Sequence, residues 1–197
     1  RLQTDQDGKR ISRINQQPFD HLTRQDFEGL PEFLRNSSPE DESIHLYTCM
    51  QKPFKVFPEF DELLCGILQR DPQGHAILHK ETQTGHTNVF VQRLTTAGCD
   101  MDRVHFVSPQ DPHRLMALYK TSTIILDSYP AGGCTTSREV MELGKAIVTW
   151  PARLLGGRWT LGLYKTIGLD EVAQDQVIAN SKDEYIAKAV ALGTNAS

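Results

Sequence analysis

From residue 44 onward, short apolar runs alternate with longer amphipathic ones. IHLYTCM (44–50), HAILHK (75–80), RVHFV (103–107), TIILDS (123–128) and AIVTW (146–150) are rich in Ile, Val, Leu and Thr and are bounded by Gly, Pro or Asp. They predict five β-strands. PEFDELLCGILQR (58–70) places Phe60, Leu63, Leu64, Ile67 and Leu68 on one face of a 3.6-residue period, with Pro58 in the first turn, where its missing N–H does no harm. VFVQRLTTAG (89–98), PHRLMALYK (112–120), TTSREVMELG (135–144) and KDEYIAKAVALG (182–193) predict further helices. Gly98 is a C-cap candidate; the last helix takes Ser181 as N-cap and Gly193 just past its end. Strands alternating with helices specify right-handed β-α units. The expected fold is α/β, a Rossmann-like parallel sheet with helices on both faces. Residues 1–43 are polar and irregular, and predict a loosely attached arm or the remnant of a preceding region; 44–197 form the expected domain.

Composition narrows the function. The 197 residues suit one domain, and a net charge of -4 gives no basic field for nucleic acid. No apolar run approaches the ~20 residues that span a bilayer. RLQTDQDGKR lacks the apolar region of a signal peptide, so an intracellular, cytoplasmic or nuclear protein is expected. The chain opens on Arg, as a fragment of a longer protein would. Cys49, Cys65, Cys99 and Cys134 make no C-x-x-C pair, which gives zinc and thioredoxin-like chemistry little support; three of them sit in apolar or segment-end contexts that predict small buried thiols, and a reducing compartment is expected. His75 and His79 lie in a predicted strand with no third ligand nearby, so zinc is not expected. Dinucleotide, P-loop and nucleophile-elbow fingerprints are missing.

Ligands of such sheets sit outside the carboxyl ends of the strands, which points to loops 51–57, 80–88, 108–112, 128–135 and 150–158. LDSYPAGGCTTSRE (126–139) is the most informative. Gly132 and Gly133 permit close approach and positive φ, and Thr135 and Thr136 set hydroxyls beside the free amides of a helix start. That is a site for a diphosphate, with Glu139 one turn on to accept from a ribose diol. The plainer alternative makes Thr135 an N-cap and Glu139 a first-turn acid. Lys52 and Lys55 follow the first strand, where a lysine can reach a phosphate or simply be solvated. His113 and Arg114 open a helix beyond the third strand, where they could stack on a base, touch a phosphate or lie idle on the surface.

The ordered set C-x-Q-x-x-x-K-x-x-P, D-P-x-G, R-V-x-F, L-D-S-x-P-x-x-G-x-T-T-x-x-E and G-x-x-I-V-T-x-P resembles the C-terminal catalytic half of the O-GlcNAc transferase family, over roughly 44–194. The resemblance implies one Rossmann-like half of a GT-B glycosyltransferase that transfers GlcNAc from UDP to protein Ser/Thr hydroxyls, inverting and without a metal. It implies Lys55 on the UDP diphosphate, Thr135 and Thr136 at the phosphate-binding helix, Glu139 on the uridine ribose and Arg158 in the helix after the T-x-P loop. Gln51, Cys134 and His113 complete the implied UDP-sugar site. Cys134 replaces the histidine of animal-type members, and Pro112 and Leu115 stand where the family carries Lys and His. No residue is assigned as catalytic base. The implied partners are a nucleotide sugar, a protein acceptor, an N-terminal catalytic half and tetratricopeptide repeats. The other functions weighed are a truncated or non-catalytic domain that binds a nucleotide or a partner, and another sugar-nucleotide enzyme with a similar half, such as an epimerase.

Overall fold

The computed structural model describes residues 3–4, 10–11, 22–27, 29–38, 41–81 and 85–194. Strands β1 (His45–Cys49), β2 (Gly74–His79), β3 (Val104–Val107), β4 (Ile124–Leu126) and β5 (Ile147–Val148) form a five-stranded sheet in the order β3-β2-β1-β4-β5. All neighbouring pairs are parallel. The order reverses direction between β1 and β4, which opens a crevice at the carboxyl ends of those two strands. Apart from the sheet, a two-residue antiparallel ladder pairs Gln3–Thr4 with Arg10–Ile11.

Both faces of the sheet are covered, so its strands are continuous apolar runs; all five residues of β1 are buried. Side chains still alternate with period two. Tyr47, Cys49, Ala76, Leu78, Ile124, Leu126 and Val148 face one core, against α2 (Pro58–Arg70), α3 (His86–Thr96) and α8 (Lys182–Thr194). Leu46, Ile77, Val107, Ile125 and Ile147 face the other core. There they meet α1 (Glu32–Arg35), α4 (Pro112–Thr121), α5 (Thr135–Glu142), α6 (Trp159–Thr166) and α7 (Glu171–Val177). The bounds of α2 are those its periodicity predicts. Gly98 has φ +80, as a glycine just past a helix end requires. Helix α7 has no predicted counterpart, and α6 has one only in the helix that the resemblance implies after the T-x-P loop; neither shows a periodic signal in the sequence.

Three expectations change. The segment before residue 44 is not loose throughout. Phe27, Leu30 and Leu34 enter the second core, and the buried Arg24 donates to Ser37 Oγ, the Ser38 carbonyl and the Thr121 carbonyl. Three apolar anchors in a polar stretch are easily overlooked. Cys65 on α2 and Cys99 beyond α3 are joined as a disulfide, so only Cys49 and Cys134 are free thiols among the described residues. No sequence spacing announces a bond across 34 residues, and it removes the cysteine argument for a reducing compartment. Gly193 lies inside α8, which continues to Thr194. A Cβ there would collide with the hydroxyl and ring of Tyr47.

That collision has a fixed target. Tyr47 is buried, and its hydroxyl donates to the Asp71 carboxylate at 2.7 Å. Asp71 also takes His45 Nδ1 at 2.7 Å and the Gln73 amide at 3.0 Å. Gly193→Ala should therefore destabilise by about 1–3 kcal/mol, the usual result of overpacking. Gly162 in α6 has open space around its would-be Cβ. Gly162→Ala should stabilise by about 0.4–1 kcal/mol through helix propensity and a stiffer unfolded chain. Denaturant unfolding of both variants checks the contrast; shifts of the same sign would refute it.

Candidate functional site

The crevice between β1 and β4 is organised by one carboxylate. Asp127 follows β4 and is buried. It accepts from the Gly133 amide at 2.7 Å, from Thr149 Oγ1 at 2.8 Å and from the Thr160 hydroxyl. Burial raises its pKa above the usual carboxylate value, against the pull of those donors. The loop from 128 to 134 is thus folded back over its own strand end. Gly132 donates to the Gly156 carbonyl at 3.0 Å. Neither Gly132 nor Gly133 has positive φ, contrary to expectation. They are glycines for lack of space. A Cβ on Gly132 would fall 2.8 Å from both Asp127 carboxylate oxygens. One on Gly133 would fall 2.6–2.8 Å from Ser137 Oγ, Thr136 Oγ1 and Gln51 Nε2.

Helix α5 opens directly from this loop. Its N-cap residue is Cys134, not Thr135, and no side chain caps it. The plain N-cap reading of Thr135 therefore fails. Cys134 and Thr135 are exposed, so the first-turn amides and the positive end of the helix dipole face the crevice mouth. Thr136 Oγ1 accepts from Gln51 Nε2 at 2.7 Å, a direct link from α5 to the loop after β1. Ser137 Oγ bonds Thr160 Oγ1 at 3.0 Å and ties α5 to α6. Glu139 is half-buried one turn into α5, and its charge helps to raise the pKa of the buried Tyr119 on α4, after burial and Cys49.

The loop after β1 contains a single 3-10 turn, Pro53–Lys55. Val56, next in sequence, makes an antiparallel bridge to Pro130. Arg93 fixes the same point: it forks onto Asp61 at 2.7 and 2.8 Å and donates to the Val56 carbonyl at 2.8 Å. Lys55 is half-buried and precedes Val56, the residue of this bridge. Lys52 is exposed and acts elsewhere. Its charge reaches His79 at the end of β2, where burial first and Lys52 second hold the imidazole pKa below its ordinary value.

The loop after β5 closes the third side. Ala152 donates to the Gly157 carbonyl at 3.0 Å, and Gly157 packs so tightly on the Pro130 carbonyl that no side chain fits. Arg158 precedes α6 rather than lying within it. It is exposed and donates to the Ala152 carbonyl at 3.1 Å. His113 is the second residue of α4, a helix capped by the Asp111 carboxylate. It lies beyond β3, the far edge of the sheet, and the structure gives it no hydrogen bond to the other three loops. So Gln51, Lys55, Cys134, Thr135, Thr136 and Arg158 are carried by loops in mutual contact, with Glu139 one turn below and His113 apart. The sequence reading missed Arg93 and Thr160, which hold the loops in place. Arg93 lies in the last turn of α3 and Thr160 in the first turn of α6, and neither has a local signal, whereas Asp127 stood in plain view at a strand end.

The chain is similar to known proteins in sequence and fold. Over 157 residues the chain is 27% identical to the Arabidopsis thaliana protein named probable UDP-N-acetylglucosamine–peptide N-acetylglucosaminyltransferase SEC, covering 80% of this chain and 15% of that protein. A Caenorhabditis elegans UDP-N-acetylglucosamine–peptide N-acetylglucosaminyltransferase is 23% identical over 143 residues, 73% of this chain and 12% of its own length. The chain therefore spans a small part of these relatives. Among solved structures, an O-GlcNAc transferase mutant from Thermobaculum terrenum superposes with a TM-score of 0.69 at 25% identity, over 81% of this chain and 31% of the other. The S. aureus protein TarM, at 0.56 and 10% identity, shares 86% of this chain and 31% of its own, a likeness of fold alone. No helix among the described residues is long and apolar enough to cross a membrane. The model of glycosyl transferase family 41 matches residues 35–197, and the chain belongs to that family.

Proposed function

We propose that this chain is the donor-binding half of an inverting GT-B glycosyltransferase that moves GlcNAc from UDP to protein Ser/Thr hydroxyls. The observation that carries the reading is the uncapped start of α5, presented by a glycine pair at the reversal of strand order and linked through Thr136 to Gln51. Backbone amides and a helix dipole at that point suit a diphosphate. In this reading Thr135, Thr136 and Lys55 neutralise charge growing on the departing UDP, the task a metal performs in other transferases. Glu139 holds the ribose. Gln51 orients Thr136, and Cys134 and Arg158 border the sugar-phosphate; His113, which lies apart, has no part in this reading. The names of the relatives, which specify UDP-N-acetylglucosamine and a peptide acceptor, support the choice of donor and acceptor.

The described residues contain no second domain to face the crevice. Half a cleft neither excludes water nor positions an acceptor. The 197-residue chain should bind UDP with micromolar to millimolar affinity in EDTA, by calorimetry, and show no transfer from radiolabelled UDP-GlcNAc. UDP binding that needs a divalent cation would end the metal-free reading, and turnover by the chain alone would end the half-site reading.

Lys55 and Lys52 provide a sharper test. A charge-assisted bond to phosphate contributes about 1.5–3 kcal/mol. Lys55→Ala should weaken UDP binding by about 10- to 150-fold. Lys52→Ala should cost under about 1 kcal/mol, as an exposed charge does. Uridine carries no phosphate, so its affinity should be nearly unchanged by Lys55→Ala. An equal loss for UDP and uridine would make Lys55 a structural residue; a larger loss from Lys52→Ala would exchange the two roles.

A further inference from the structure

Helix α3 is lightly held. Of its 11 residues only Thr87, Phe90 and Leu94 are buried. Its neighbour α2 buries Phe60, Leu63, Leu64, Ile67 and Leu68 besides Asp61 and Cys65. Two ties join the helices. At one level Arg93 forks onto Asp61 and reaches the Val56 carbonyl. One turn further along α2, Cys65 is bonded to Cys99, in the turn that leaves α3. The Cys99 amide donates to the Leu94 carbonyl at 3.0 Å, so that turn is fixed to its own helix. The covalent tie therefore sets where α3 lies on α2, and with it the point from which Arg93 reaches Val56.

The disulfide has one open end. Cys65 is 4% exposed, whereas Cys99 is 9% exposed and lies between the exposed Gly98 and Asp100. A thiolate must reach one sulfur to break the bond, and Cys99 offers it. Reduction leaves two small thiols, which an apolar core accepts, so the fold survives. The two Cα atoms stand 4.8 Å apart, however, and two unbonded sulfurs need more room than a bonded pair. That room comes from the lightly held side, α3.

We propose that the Cys65–Cys99 disulfide is a redox switch for the loop after β1. Oxidised, it holds Arg93 on Val56 and keeps Lys55 and the Val56–Pro130 bridge in position; reduced, it releases α3 and loosens them. The consequence for UDP rests on the reading of the crevice as a diphosphate site. The reductant is a dithiol. Its thiolate attacks Cys99 Sγ, and Cys65 leaves as a thiolate and takes a proton. The second thiol then displaces Cys99, which is protonated in turn, and a cyclic disulfide forms. The protein gains two electrons and two protons, and the dithiol loses them.

The test treats the folded chain with dithiothreitol without denaturant, counts free thiols by alkylation and mass, and measures amide exchange before and after. Peptides covering 51–57 and 86–99 should exchange about fivefold or more faster on reduction, while those of β1 and α8 keep their rates. UDP should bind about fivefold or more weakly to the reduced chain, and uridine nearly as before. Cys65→Ser/Cys99→Ser should match the reduced chain with or without dithiothreitol. In Arg93→Gln, reduction should add little, because the route to Val56 is already cut. The unaltered chain in its two states decides the matter if either variant does not fold. A bond that opens only in denaturant, loop exchange that reduction leaves unchanged, faster exchange throughout the chain, or equal UDP affinity in both states would overturn the proposal and leave the disulfide a structural staple. Loop exchange that responds in a chain unable to bind UDP in either state would keep the switch and end the reading of the crevice.

Discussion

A single buried carboxylate holds the site together. Asp127 ends one strand, receives the amide of Gly133 and binds hydroxyls from Thr149 beside β5 and Thr160 on α6. A carboxylate excluded from water must have donors, and the loop from 128 to 134 takes its shape from supplying them. The two glycines follow from that shape, because Asp127 on one side and Gln51, Thr136 and Ser137 on the other leave no room for a Cβ. The uncapped start of α5 follows in turn: the chain emerges from the loop at Cys134 with no side chain positioned to bond the first amides. What the helix start offers a ligand is thus set earlier in the chain, at the strand end.

Much of this was legible in the residues. Five strands and the bounds of α2 and α4 follow from apolar periodicity, because both faces of the sheet are covered and each strand must be apolar. The crevice was legible because strand ends and Gly/Thr helix starts have local spellings. The remainder depends on distant partners. Nothing local in a threonine at 160 says that it serves a carboxylate at 127, and nothing in Cys65 points to Cys99. Gly193 reads as a helix stop, yet it is a gap into which Tyr47 fits. Gly132 and Gly133 were expected for their freedom of φ and are needed for their smallness. The segment from 22 to 38 reads as polar, and only its contacts reveal Phe27, Leu30 and Leu34 as core.

The two ends of the sheet differ in kind. At the carboxyl edge, polarity comes from backbone amides and short hydroxyl side chains held by Asp127. At the amino edge it comes from long cationic side chains, with Arg24 buried as a strut between the early segment and the end of α4.

The Val56–Pro130 bridge and the Gln51–Thr136 hydrogen bond are where two separately built walls meet. One wall is braced through Arg93 onto α2, the other through Asp127 onto β5 and α6. The crevice is therefore a seam, and its alignment is a property of neither wall. Damage far back in either brace would spare every residue at the mouth and still throw the two sides out of register, as a hinge pin bent at one end leaves a door intact but unable to latch.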